Sequence, residues 1–261
     1  GVYEMSWWGK LVGGAFGFMV GGPLGALIGA AIGHNFDSGM KLQASGAPGD
    51  QERVQTAFFT TTFSVMGHIA KADGHVSKDE IANARQVMAS MELDAEMQKV
   101  AINLFQQGKA RDFPLDTILE QFRRECHRRQ HLIRIFIEIQ LQAAYADGRM
   151  HPKERALLLH ICRRLGISPD EFDVLAGAAG AERNYGGVAG RDRMSLSDAY
   201  AILEIPSSST DKEIKTAYRR MMSRHHPDKL VAKGLPEEMM KIATEKTQEI
   251  QFAYELIKES R

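Results

Sequence analysis

From Leu11 to Gly33 the chain carries no charged side chain. As an α-helix rising roughly 1.5 Å per residue, that run reaches across a hydrocarbon core of about 30 Å. Inside lipid every backbone polar group needs an internal partner, so a single spanning helix is the expected form. A secretory signal peptide has a shorter apolar core behind a basic start and closes on a small-residue cleavage site; here Lys10 alone precedes a long run, which favours an anchor. Glycine recurs at every fourth position, at Gly9, Gly13, Gly17, Gly21, Gly25, Gly29 and Gly33. Such spacing lays bare backbone along one helix side, and in lipid close packing of small residues is what joins helices. Gly13, Gly17, Gly21, Gly25, Gly29 and Gly33 are therefore the expected membrane dimerisation surface, and a homodimer the expected assembly. Pro23 opposes helix continuity, and mere flexibility is the duller reading of so many glycines. Trp7 and Trp8 stand where an interfacial aromatic anchor belongs. Met5 reads as the natural start, with residues 1–4 set aside, so the anchor is assigned to residues 5–37.

Residues 38–50 are small, polar and broken by Gly and Pro, the composition of a linker. Beyond them, Phe58, Thr62, Val65 and Ile69, and again Leu132, Ile135, Phe136, Ile139 and Ala143, recur at helical spacing. Strand-like alternation is absent, so residues 51–180 are expected to form an all-α domain. Lys+Arg and Asp+Glu balance at 33 each, which removes a global basic field and with it nucleic acid as an expected partner. Cys126 and Cys162 lie apart inside apolar patterns, without metal or redox spacing, and read as reduced core residues.

Within this domain Ala70-Lys71-Ala72-Asp73-Gly74-His75-Val76-Ser77-Lys78-Asp79-Glu80 recurs in divergent form as Ala144-Tyr145-Ala146-Asp147-Gly148-Arg149-Met150-His151-Pro152-Lys153-Glu154. Asp73 with Glu80 and Asp147 with Glu154 are candidate cation ligands. The plainer account outweighs it: Ser77 with Glu80 makes a capping box, Pro152 suits a first helical turn, and Asp-Gly is turn chemistry. No metal or other cofactor is expected. His127 and His131 are four apart but lack the Glu of a zinc-protease helix. Among Arg123, Arg124, Arg128, Arg129 and Arg134 they read as a solvated basic face, with anionic lipid headgroups as a possible contact.

Residues 181–194 form a second polar, glycine-bearing linker, and residues 195–261 turn helical again. Ser195 and Asp198 open a short helix carrying Tyr200, Ile202 and Leu203. Thr210 and Glu213 form a capping box for the next, whose Ile214, Ala217, Tyr218, Met221 and His225 face inward. Its other face carries Lys212, Lys215, Arg219, Arg220 and Arg224. The helix from Glu237 to Glu259 is predominantly acidic.

Between these helices stands His225-His226-Pro227-Asp228-Lys229. The His226-Pro227-Asp228 tripeptide after a basic helix, with Tyr200 before it and Ala253-Tyr254-Glu255-Leu256 after it, resembles the J domain of DnaJ-family co-chaperones. The paired Ala-Asp-Gly turns of the central domain resemble the TerB-like fold. Anchor, TerB-like domain and C-terminal J domain in this order, with Phe58-Phe59 ahead of Met66-Gly67-His68, resemble the bacterial membrane-bound DnaJ-like proteins over nearly the whole chain. One departure is plain: the segment from Asp228 to Ala253 is longer than in the general J domain.

The resemblance implies an all-α protein with a single transmembrane helix, a helical TerB-like bundle and a J-domain hairpin. It implies a place in the bacterial inner membrane with the C-terminal domains in the cytoplasm, a DnaK-type chaperone as partner, and envelope-stress or regulatory roles. His226, Pro227, Asp228, Lys215, Arg219, Arg220 and Arg224 are then the expected DnaK-binding residues. Without a phosphate-binding glycine loop, a nucleophile elbow or a dense metal-ligand cluster, no enzymatic activity is expected. The alternatives are a TerB-like module that senses a ligand or cation with the J domain as its output, and a pore built by the glycine-striped helix.

Overall fold

The computed structural model describes residues 8, 21–33, 49–72, 74, 84–85, 88–89, 91–146, 148–186, 190 and 192–261. Among them there are helices and no strand. In chain order the helices are α1 (Gly22–Gly33), α2 (Asp50–Ala70), α3 (Ala95–Gly108), α4 (Leu115–Glu125), α5 (Gln130–Ala144), α6 (Pro152–Leu165), α7 (Pro169–Tyr185), α8 (Leu196–Ile202), α9 (Asp211–His225), α10 (Pro227–Ala232) and α11 (Met240–Glu259), with a 3-10 turn at Glu237–Met239 before the last.

Helix α2 is the axis of the central domain. Every residue from Val54 to Gly67 is buried, as expected of a helix surrounded by others rather than laid on a surface. Its Phe58 meets Phe122 of α4, and Phe122 meets Phe136 of α5, with ring centroids 6.2 and 4.9 Å apart. Two of the polar side chains so buried are tied to backbone: Ser64 Oγ donates to the Thr60 carbonyl at 2.7 Å, and Gln140 Nε2 donates to that of Thr62 at 3.0 Å. Cys126 and Cys162 are both free and buried, and burial pushes each thiol up to about 12, which suits inert core residues.

Helices α2 and α3 cross at backbone contact. A Cβ on Gly67 would stand 2.0 Å from the Phe105 carbonyl oxygen, and one on Gly108 would stand 1.7 Å from that of Ser64. No other residue type fits there without moving a helix.

The duplicated Asp-Gly segment is a duplicated turn. In the first copy Ala72 N–H donates to Ile69 and Gly74 N–H to Lys71; in the second Ala146 N–H donates to Ala143 and Gly148 N–H to Tyr145. Both glycines have positive φ, +90° and +105°, a region open to glycine and strained for other residues. Asp73, Glu80 and Asp147 lie outside the described residues. Glu154 belongs to a capping box, its carboxylate accepting from His151 N–H at 2.8 Å, and Pro152 opens α6.

The apolar run departs from a continuous helix within its described part. Helix α1 begins at Gly22 (φ +58°), itself preceded by another left-handed residue, Gly21 (φ +63°). It then packs on the central domain with Leu24, Ile28 and Ala31 inaccessible to solvent. Trp8 is buried against Phe59, with ring centroids 5.6 Å apart, rather than placed as an interfacial anchor. Among the described residues no helix is long and apolar enough to cross a membrane. Gly13 and Gly17 lie outside the described residues. Gly25 is buried in α1, and Cβ atoms on Gly21, Gly29 and Gly33 would meet nothing within 4 Å.

Helix α7 carries on through residues 181–185 of the segment read as linker, because Ala181 and Tyr185 bury into the apolar cluster of the C-terminal hairpin. In the other direction Leu230, Leu235, Met239 and Ala243 bury into the cluster of the central domain. The two units are thus packed through one another.

Ala substituted for Gly67 or Gly108 is expected to lower the stability of the full chain by about 2 kcal/mol or more, since overpacking at a backbone contact has no flexible side chain to yield. Ala at Gly177, in α7 with open space around its Cβ, is expected to raise stability by up to about 1 kcal/mol. Urea midpoints of the three variants decide it.

Candidate functional site at the His-Pro-Asp corner

Helix α9 forms because Thr210 caps it. The Thr210 hydroxyl accepts from Glu213 N–H at 3.3 Å, and the Glu213 carboxylate accepts from Thr210 N–H at 2.7 Å. Those bonds hold the Glu213 carboxyl below its ordinary range. Arg261 locks the same end, donating to Asp211 Oδ1 and to the Ser209 carbonyl, each at 2.6 Å. Farther along, Tyr218 stacks on Tyr254 of α11 with centroids 4.2 Å apart. Ile214, Ala217, Met221 and His225 are buried, so the stripe read from spacing is the inward face.

The tripeptide is a corner between two helices rather than a loop. His226 closes α9 and at the same time precedes α10, with φ −60° and ψ 122°. Pro227 occupies the first helical position, where its missing N–H costs nothing, and it bars α9 from continuing. The His226 carbonyl accepts from Leu230 N–H at 3.1 Å. Lys229 Nζ ties the corner back to Ser223 Oγ at 2.7 Å. His226 and Asp228 are exposed, and neither side chain has a partner among the described residues. Lys215, Arg219 and Arg220 are exposed on α9 leading up to them.

Arg224 differs from its neighbours. Its guanidinium donates to Glu204 Oε2 at 3.1 Å and is half-buried; burial and the neighbouring Arg134 hold its pKa below the ordinary value. It was expected on the partner-binding face, but its charge is committed inside the chain.

Beneath the corner lies an ion network that the basic-face reading of Arg134 missed. Arg134 of α5 is 7% exposed. It pairs with Glu204 through Nη2, with Glu171 through Nη1 at 2.5 Å, and with Glu138 at 3.4 Å. Glu204 reaches both arginines from a left-handed backbone, φ +58°, a conformation that a non-glycine residue adopts at a cost. His225, fully buried, faces acceptors with both ring nitrogens: the Met221 carbonyl stands 3.0 Å from Nδ1 and Glu138 Oε2 2.9 Å from Nε2. Two acceptors on one imidazole call for two N–H donors, hence the imidazolium. Burial opposes that charge, but Glu138, the Met221 carbonyl and Glu204 together raise the His225 pKa. Burial likewise opposes the Glu138 carboxylate, and His225, Lys246 and Arg134 outweigh it and bring Glu138 to about 2. Lys246 of α11 also pairs with Glu182 of α7.

The chain matches the DnaJ domain over residues 198–261 and the family described as tellurite resistance protein TerB over residues 60–176. Residues 5–45 match the co-chaperone DjlA transmembrane domain. Across nearly its full length the chain is similar to three curated proteins named co-chaperone protein DjlA. The one from Coxiella burnetii is 47% identical over 98% of this chain and 99% of the relative. Those from Yersinia pestis and Vibrio cholerae serotype O1 are 45% and 43% identical, with the same coverage of both chains. The chain belongs to the DjlA co-chaperone family. No solved structure matches it.

As a DjlA-family protein it is a J-domain co-chaperone, and its all-helical TerB-like and J domains stand as the sequence implied. The family belongs to regulators of chaperones. Among the described residues no group of three or more His, Cys, Asp or Glu is arranged to hold a metal ion. In this DjlA-family chain the long stretch after Asp228 has a structural use. It carries the side chains that enter the central core, and Gln51 Nε2 meets the Val231 carbonyl at 3.3 Å. Gly234 (φ +107°) passes so close to α2 that a Cβ would stand 2.6 Å from Val54 Cγ1.

The sign of the pH dependence follows from these charges. A histidine whose folded pKa is raised contributes stability in full below its unfolded value, about 6.5, and loses it as pH climbs through the folded value. Glu138, being lowered, contributes above its unfolded value, about 4.3, and fails as pH falls toward 2. Docking of the J hairpin is therefore expected to be firmest between about pH 4.5 and 6.5 and to loosen on the alkaline side. Amide hydrogen exchange of α9 and α10 across pH, corrected for intrinsic rates, should show this, and His225→Gln should flatten the alkaline limb.

Proposed function

We infer that the protein stimulates the ATPase of a DnaK-type chaperone through the His226-Pro227-Asp228 corner, with Lys215, Arg219 and Arg220 as the surrounding contact. The observation that carries this reading is the corner itself. It sets an imidazole and a carboxylate in solvent without internal partners, on a backbone held by Pro227 above and by buried His225 below. Groups of that kind, presented rigidly, bind without a large ordering cost. The hydrolytic chemistry belongs to the partner. The co-chaperone biases the partner's conformational equilibrium, by binding one state better than the other, and has no catalytic group of its own. Arg224 drops out of the contact set because Glu204 holds it.

The apolar segment within residues 5–37 anchors the protein in the bacterial inner membrane. Residues 51–180 and 195–261 then lie in the cytoplasm, where ATP-loaded chaperone is found, and the role falls in envelope stress or its regulation. Helix association through Gly13, Gly17, Gly21, Gly25, Gly29 and Gly33 would make the inserted form a homodimer.

Full chain in lipid nanodiscs is expected to accelerate ATP hydrolysis by a DnaK-type chaperone, and His226→Gln to return the rate to the basal value with helical content unchanged. Equal stimulation by the variant defeats the reading. Arg219→Glu with Arg220→Glu should slow association, and the deficit should shrink as salt rises, since exposed charges are screened over about 8 Å at physiological ionic strength. Stopped-flow association rates across a salt series check that.

A further inference from the structure

A basic cleft of about 770 Å³ opens where the start of α2, the turn between α4 and α5, and the end of α10 meet. Its volume lies in the range of small-ligand sites, roughly 300–1,000 Å³. Arg53, Arg124, His127, Arg128, Arg129 and Lys233 line it, against two carboxylates, Asp50 and Glu125. Both carboxylates are already engaged. Glu125 takes Arg53 at 2.9 Å and Asp50 takes Arg129 at 2.8 Å, so the two pairs fix the walls and neutralise only their own arginines. Arg124, Arg128 and Lys233 have no ion-pair partner among the described residues, which leaves three uncompensated cations lining one space.

The backbone gathers these charges against their repulsion. Arg128 is a non-glycine residue in the left-handed region, φ +62°, a strain that persists only where the surroundings impose it. Gly234, φ +107°, follows Lys233 and passes so close to Arg129 that a Cβ would stand 3.6 Å from Nη1. That nitrogen is shut off from solvent and has no hydrogen-bond partner. Helix α5 starts directly after Arg129 with no side chain capping it, so the positive end of its dipole adds to the field. Burial first, and then Lys233 and Arg224, hold His131 in that first turn below its ordinary pKa. Arginine forks match the oxygens of phosphate, and one phosphate group in the cleft would relieve a repulsion that no carboxylate of the chain relieves.

We propose that this cleft binds the phosphate of an anionic lipid headgroup. The proposal rests on the membrane reading above: residues 5–45 match a transmembrane domain, and α2, whose first turn holds Asp50 and Arg53, begins at residue 50. The cleft is thus tethered close to the surface that the anchor enters, and clustered Lys and Arg beside a membrane segment are how anionic headgroups are recognised. The cleft also joins the two units, since Lys233 closes the short helix that Pro227 begins. A headgroup held by Arg124 and Arg128 on one side and Lys233 on the other braces the His226-Pro227-Asp228 corner from its far end.

The test places full chain in nanodiscs of phosphatidylcholine with and without phosphatidylglycerol. Amide hydrogen exchange at residues 126–130 and 228–234 should slow by about threefold or more with phosphatidylglycerol, the protection that a ligand at twice its Kd gives where opening releases it. Arg124→Ser with Arg128→Ser, at two exposed positions, should remove the difference. Arg111→Ser with Arg163→Ser takes equal charge from exposed positions outside the cleft and should keep it. Helical content should be the same for both variants and the parent. Short-chain phosphatidylglycerol, added as monomers to full chain in a neutral detergent, should protect the same amides. That arm reads the cleft whether or not the chain inserts, and so separates failure of the anchor from failure of the site. No protection in it overturns the proposal, as does protection that survives in the cleft variant or is lost equally in the control variant. Inorganic phosphate that protects as well as short-chain phosphatidylglycerol at equal concentration also overturns it, because the ligand would then be a free anion.

Discussion

Arg134 is a charge held in a place that water scarcely reaches, and the placement of the J hairpin follows from how that charge is satisfied. Removing an ion from water is costly, and the cost is recovered only with good geometry and several partners. Arg134 has three carboxylates around it, from α5, α7 and the end of α8. Glu204 then passes the constraint to Arg224, and Glu138 passes it to His225. Two of the three carboxylates, Glu138 and Glu204, are shared between two cations, so displacing α5 or α9 strands a buried charge elsewhere. Such a network rewards one arrangement of the two units over all the near alternatives.

The consequence is felt at the corner above it. His225 and His226 are neighbours with opposite fates, one sealed between Met221 and Glu138, the other in solvent. Because the first cannot turn, the second is presented at a fixed angle. On the far side of the corner, Leu230, Leu235 and Met239 enter the central core. The tripeptide is gripped from both ends by a domain that contributes no residue to it. An isolated hairpin would lose both grips and would expose the apolar side chains that make the second.

Much of this was legible in the sequence, and what was not has a physical reason. Capping boxes at Ser195 and Thr210, the inward stripe of α9 and the proline corner depend on neighbours close in sequence, where local chemistry decides. The twin Asp-Gly turns were readable for the same reason, since a left-handed turn needs glycine. The network of Arg134 was only partly readable, because Glu138 stands four residues along the same helix but Glu171 and Glu204 stand 37 and 70 residues away. The pairing of Arg224 with Glu204 was not readable, because helical spacing cannot tell a free cation from one that a carboxylate on another element has claimed. The length of the segment after Asp228 was noticed in the sequence as a departure, and only its burial in a second domain explains it.

The glycine repeat shows how one pattern serves two solvents. In lipid, bare backbone on one helix side permits close approach to another helix. In water the same glycines weaken the helix by up to about 1 kcal/mol each relative to alanine, and one of them, Gly21, takes a left-handed φ just before α1. Asn103, Gln107 and Gln121 reach the backbone of α1 at the carbonyls of Ala31, Leu27 and Gly21. Two of those carbonyls, at Gly21 and Ala31, belong to residues with little or no side chain of their own.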